Sequence, residues 1–121
     1  MKALPALLLT LAAVTTAHAA CPYPKAPDTI PDGNTAKLED MLSAQKAVKQ
    51  FDADIGAYQT CLETEHNDAL AKEGDKLTED QKKERIRVLA QKQNAAADEA
   101  QQIADRFNEQ VKVYREKNKK Q

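Results

Sequence analysis

Tryptophan is absent from this chain, and the side chains that most often run enzyme chemistry are nearly absent too. Beyond residue 19 there is one serine, Ser43, and one histidine, His66. On one continuous helix these two stand ~35 Å apart, which excludes a Ser–His dyad within a chain. The three glycines are scattered, so no phosphate-cradling loop is present. Three tyrosines and two phenylalanines suit the packing of a core better than a base-stacking platform, and no nucleic-acid partner is expected. Charge of one sign is also missing, with 18 basic against 19 acidic residues and a formal net charge of −1. Long hydrophobic runs are lacking, because the longest, over residues 4–14, falls short of the ~20 residues a membrane span needs. These absences predict a chain that is not an enzyme and carries no cofactor.

The beginning of the chain reads as an export signal. Lys2 gives the positive start, residues 4–14 the apolar stretch, and Ala17-His18-Ala19 the small-x-small cleavage site, so residues 1–19 are expected to be removed. What remains has 17 basic and 19 acidic residues. Cys21 follows Ala19-Ala20 directly, which leaves lipid attachment open. His18 stands where a lipoprotein signal wants a small or apolar residue, and that favours soluble export; membrane association is expected only if Cys21 is lipidated. The expected location is the periplasm or the outside of the cell. Two cysteines in an exported chain of this size predict an intramolecular Cys21–Cys61 disulfide. The other readings are a lipidated Cys21 with free Cys61, or a bridge between chains; a redox or metal role is disfavoured because neither cysteine sits in a CxxC pair.

Four of the five prolines crowd into residues 21–33, CPYPKAPDTIPDG. Each fixes φ and removes a donor, so residues 20–34 are expected to form an extended arm. Asp32-Gly33 is a turn signal, and Asn34 or Thr35 is a candidate helix cap. From there residues 35–121 read as an all-α, coiled-coil-like antiparallel two-helix hairpin: a helix over about 36–72, a turn over about 73–77 and a helix over about 78–118. Met41, Ala44, Val48, Phe51, Ile55, Tyr58 and Leu62 recur at spacings of three and four, a heptad seam. Thr78-Glu79-Asp80-Gln81 has the capping-box form, and the second seam runs through Ile86, Leu89, Gln93, Ala96, Ala100, Ile103, Phe107 and Tyr114. Folding about Gly74 sets Leu62 near Ile86, Phe51 and Ile55 near residues 93–97, and Met41 near Phe107. Residues 36–80 carry eleven acids against five bases, and residues 81–121 six against eleven, so the acidic start of one helix is expected beside the basic end of the other.

Two helices alone have a thin core, and the arm bears on that weakness. Cys61 lies ~39 Å along the first helix, and the residues from Cys21 to Asn34 cover ~40 Å in polyproline form. The lengths agree if the arm runs nearly straight, back along the helix, with Tyr23, Pro24, Pro27, Ile30 and Pro31 as a third layer.

Two groups of residues are candidate sites. Glu63 and His66, one turn apart with Glu65 and Asp68 near, have the form of a metal or small-ligand site. The pattern lacks a second histidine or a carboxylate–histidine pair on the other helix, so a solvated acidic face is the favoured reading and no metal is expected. Leu38, Leu42, Val111 and Val113 lie off the seams near the open end. They offer a surface for an envelope protein or a homodimer interface, unless the arm covers them.

Two resemblances bear on function. Leu77-Thr78-Glu79-Asp80-Gln81 resembles the LTxxQ motif of Spy-type periplasmic chaperones, here present once where that family has two copies. It implies a cradle for unfolded clients. The second covers nearly all of the chain beyond the signal. The arm CPYPKAPDTIPDG, a helix bearing EDML and AVKQFDADIGAYQTCL with Tyr58, Cys61 and Leu62, and the second helix together resemble a family of small uncharacterised exported proteins of proteobacteria. It implies the same architecture and assigns no activity. The leading functional expectation is a non-enzymatic exported helical hairpin that acts as a protein-interaction or structural module. A Spy-like chaperone and a metal or small-ligand binder are the alternatives.

Overall fold

The computed structural model describes residues 20–121, and the expected signal segment, residues 1–19, lies outside the described residues. The chain forms an extended arm followed by two long helices, with no strand among the described residues. Helix α1 spans Leu38–Glu73 and helix α2 spans Glu79–Lys119, joined by a single 3-10 turn, Gly74–Lys76. The two helices pack against each other as the all-α hairpin the heptad pattern predicts.

The start of α1 differs from the expected cap. Asp32 takes over the turn: its Oδ1 accepts from Asn34 N–H at 2.9 Å, and its carbonyl accepts from Thr35 and Ala36 N–H at 3.1 and 2.8 Å. Neither Asn34 nor Thr35 caps the helix. Lys37 stands at the N-cap position, and the Asp40 carboxylate reaches back to its N–H at 3.0 Å. Asp40 thus satisfies a backbone donor and places negative charge on the positive end of the helix dipole. The capping box of α2 forms as its sequence predicts. Thr78 Oγ1 accepts from Gln81 N–H at 3.2 Å, and Gln81 Oε1 accepts from Thr78 N–H at 2.9 Å.

The core is a single stripe along the helix interface. Met41, Ala44, Val48, Phe51, Ile55 and Leu62 of α1 are buried, with Ala96, Ala100, Ile103 and Phe107 of α2. Large α1 side chains meet small α2 ones: Ile55 shares a hollow with Ala97, Ala100 and Ala104, and Ala96 is fully covered. Alanine opposite isoleucine lets the helix axes approach closely, and each buried Phe or Ile contributes ~1.5–3 kcal/mol.

Ile55 meets Ala97 within the expected range, but at Gln93 the register lies at least one turn from the expected one. Gln59 Nε2 donates to the Gln93 carbonyl at 3.1 Å, and Gln93 Nε2 donates to Glu63 Oε1 at 3.0 Å, so Gln93 faces residues 59–63 and not Ile55. The chain does not reverse at Gly74. It tightens into the 3-10 turn and then extends through Leu77 and Thr78, which moves the reversal point toward α2. Ile86 correspondingly leaves the seam and is 56% exposed. Arg85 pairs with Glu73 at the surface across the reversal at 2.9 Å, and the next residue along a helix points ~100° away. The acidic start of α1 and the basic end of α2 form no ion pair with each other among the described residues; the pairs present are local or, for Arg85–Glu73, span the turn.

Candidate functional site

The arm is the third layer. Its Cys21 is disulfide-bonded to Cys61, with the Cα atoms 5.8 Å apart. Because the Cys21 sulfur is bonded to Cys61, the lipidated reading of Cys21 does not apply to this structure. A disulfide belongs to an oxidising, non-cytoplasmic compartment, and no described helix is long and apolar enough to cross a membrane.

From the disulfide the arm runs along the groove between the helices and touches both. The Tyr23 ring stands edge-on to Tyr58 of α1, centroids 5.1 Å apart, and its hydroxyl donates to the Glu99 carboxylate of α2. That hydrogen bond first, then burial and the nearby negative charge, push the Tyr23 hydroxyl up from 10.0 to about 12. Ala26 and Ile30 pack on the core, and Gly33 donates its N–H to Gln110 Oε1 at 2.8 Å. At Gly33 the backbones nearly touch: a Cβ built there would lie 2.2 Å from the Gln110 carbonyl oxygen. Glycine is required here by close approach.

The four open-end candidates divide into two pairs. Val111 and Val113 are half-buried; Val111 packs against the core, and Val113 lies beneath Gly33 of the arm. Leu38 and Leu42, one turn apart on α1, stay 58% and 49% exposed. An open surface at this end therefore consists of the two leucines, with the valines serving the arm.

Glu63 and His66 belong to no group of three or more clustered ligand-type side chains among the described residues. Glu63 accepts from Gln93, and His66 points into a groove at the closed end of the hairpin. That groove, about 370 Å³, begins where the arm stops at Cys21, and among the described residues nothing covers it. Leu62, Ala69, Val88 and Leu89 give it an apolar surface, edged by Glu65, His66, Arg85 and Lys92. Arg85 is engaged by Glu73, and Glu84 by Arg87 through two hydrogen bonds that hold the Glu84 carboxyl below its usual range.

The grouping of three ligand-type side chains that does form among the described residues is Cys21, Cys61 and Glu65, so Glu65 stands with the cysteines and not with Glu63 and His66. Its position four residues after Cys61 is a usable signal, since i and i+4 share a helix face. Glu99 and Gln110 carry no such signal, because they meet the arm only through the fold. No protein-family model, curated protein or solved structure matches the chain. What the fold and its surfaces define is a class: a helical hairpin closed by a covalently tethered arm.

Proposed function

We propose that this chain is a non-enzymatic protein-interaction module, exported to the periplasm or secreted, that binds a partner in the interhelical groove. The observation that carries this reading is the groove itself. The arm fills it as an extended segment up to Cys21, and its apolar continuation along Leu62, Ala69, Val88 and Leu89 stays open among the described residues. The arm shows what such a groove accepts: an extended backbone with small or branched apolar side chains facing inward, like Ala26 and Ile30, and hydrogen bonds at its edges. Leu38 and Leu42 supply a second apolar surface at the other end, for the same partner or a second copy of the chain.

A photo-crosslinking side chain placed at Val88 tests the reading in living cells. A discrete adduct at Val88, missing when the probe sits at exposed Gln91, supports the groove; equal labelling from both positions removes it. Sedimentation separates the uses of Leu38 and Leu42, since a monomer at high concentration leaves no role for a second copy. The open groove also suits a chaperone of the kind the single LTxxQ segment suggests. That version requires the protein to suppress aggregation of an unfolded client at equal ratio and to lose the effect with Val88→Asp.

A further inference from the structure

We propose that Cys21, Cys61 and Glu65 form a binding site for a thiophilic divalent cation of the zinc class once a dithiol has opened the disulfide, so that a metal ion replaces the covalent bond as the tether of the arm. The site adjoins the groove, which Glu65 edges, but it does not rest on partner binding there.

The geometry assembles three ligand atoms before any metal arrives. Both sulfurs and a Glu65 carboxylate oxygen lie within 4.8 Å of one another. Zinc–sulfur bonds of ~2.3 Å and zinc–oxygen bonds of ~2.1 Å around a tetrahedral ion place neighbouring ligands roughly 3.5–3.8 Å apart. With Cα atoms 5.8 Å apart, rotation of the two cysteine side chains opens the sulfurs to that spacing without displacing the backbone. Cys61 and Glu65 sit one helical turn apart on one face of α1. The Glu65 carboxylate is also already aimed: its Oε1 accepts the Cys21 N–H at 3.1 Å, which leaves Oε2 for the ion. A metal-binding carboxylate oriented by a backbone donor is the usual supporting arrangement.

The arm keeps Cys21 in place without the sulfur–sulfur bond. Tyr23 packs on Tyr58 and bonds to Glu99, Ala26 and Ile30 pack on the core, and Gly33 is seated on α2. The reduced thiols therefore remain neighbours. Both cysteines are half-buried and Glu65 is exposed, so reductant and ion reach the corner from solvent. Two sulfurs and one oxygen select zinc, cobalt or cadmium over magnesium or calcium, and leave a fourth position for water.

The chemistry balances in two steps. A dithiol passes two electrons and two protons to the disulfide, giving two cysteine thiols and a cyclic disulfide of the reductant. The dication then binds both sulfurs, and the two thiol protons leave to solvent.

The test uses the purified protein reduced with a phosphine under argon and titrated with cobalt(II). The site gives thiolate-to-cobalt charge-transfer absorption that saturates at one ion per chain and is displaced by zinc. Disulfide-bonded protein gives none, and Cys61→Ser abolishes it. Glu65→Ala weakens cobalt binding at least about tenfold, the lower end of what losing even an outer-shell partner of a metal ligand costs, while circular dichroism confirms that the exposed substitution leaves the helices intact. Absence of the absorption in the reduced protein, saturation at one ion per two chains, or unchanged affinity in Glu65→Ala each overturns the site.

Discussion

At Gly33 a single hydrogen in place of a methyl group lets the arm sit on α2. The atoms a Cβ would meet, the Gln110 carbonyl oxygen at 2.2 Å and the Tyr114 nitrogen at 2.7 Å, belong to the helix backbone and have little freedom to move aside. Gly33→Ala should therefore lower stability by about 1–3 kcal/mol, the range for overpacking a close contact, read as a fall in Tm. Tyr23 gives a pH prediction. Its hydroxyl holds the proton from the ordinary 10.0 up to about 12 because ionisation would remove the hydrogen bond it donates to Glu99, is opposed by burial, and would set two anions together. A folded pKa raised above the unfolded one means that this contact contributes fully below pH 10 and is lost as pH climbs to about 12. In an ultraviolet titration one tyrosine should ionise late, and Glu99→Gln should bring it back toward 10.0.

At the scale of elements, each long helix carries one position where local chemistry can be tested apart from packing. Gly56 is exposed in the middle of α1 with nothing within 4 Å of a built Cβ. Gly56→Ala should raise stability by ~1 kcal/mol through helix propensity alone. Thr78→Ala removes the acceptor for Gln81 N–H and should cost ~1 kcal/mol. Denaturant melts that show opposite shifts in midpoint with unchanged slope would check both. These are also the features that local sequence expresses well. The capping box and the α1 seam were legible because a helix repeats its geometry every turn. Ile86 differs from its expected place because the same periodicity fits two faces of α2 beside the turn, and Val88 and Leu89 take the inward positions while Ile86 stays exposed.

For the whole molecule, the hairpin and its arm form one layered unit. Among the described residues, nine of the ten buried hydrophobic ones belong to one core cluster, against which Ala26 and Ile30 of the arm pack; Leu62, beside the open groove, stands outside it. The disulfide closes a separation of 40 residues, and opening it should cost about 3–4 kcal/mol. Chemical denaturation of oxidised and reduced protein should show this gap while far-ultraviolet circular dichroism stays helical in both. Hydrogen exchange should quicken first at Cys21 and Gly33, whose N–H groups bond to side chains and not to a backbone ladder. Of the candidate residues, the Cys21–Cys61 pair was visible from compartment and cysteine count, whereas Leu38 and Leu42 could not be told from Val111 and Val113 until the fold left the leucines exposed and the valines half-buried. The contact of Glu65 with Cys21, and the roles of Glu99 and Gln110, were not visible, because each gains its partner from a segment at least 44 residues away.

Periodicity, caps and proline content determined by themselves that this chain makes an extended arm and two long helices, since those signals act within a turn or two of backbone. Only the tertiary structure decided the register of the helices, which leucines and valines stay exposed, and which acids meet the arm. Those outcomes depend on where the chain reverses. A shift of one turn there moves every cross-helix contact by ~5.4 Å without altering a single local preference.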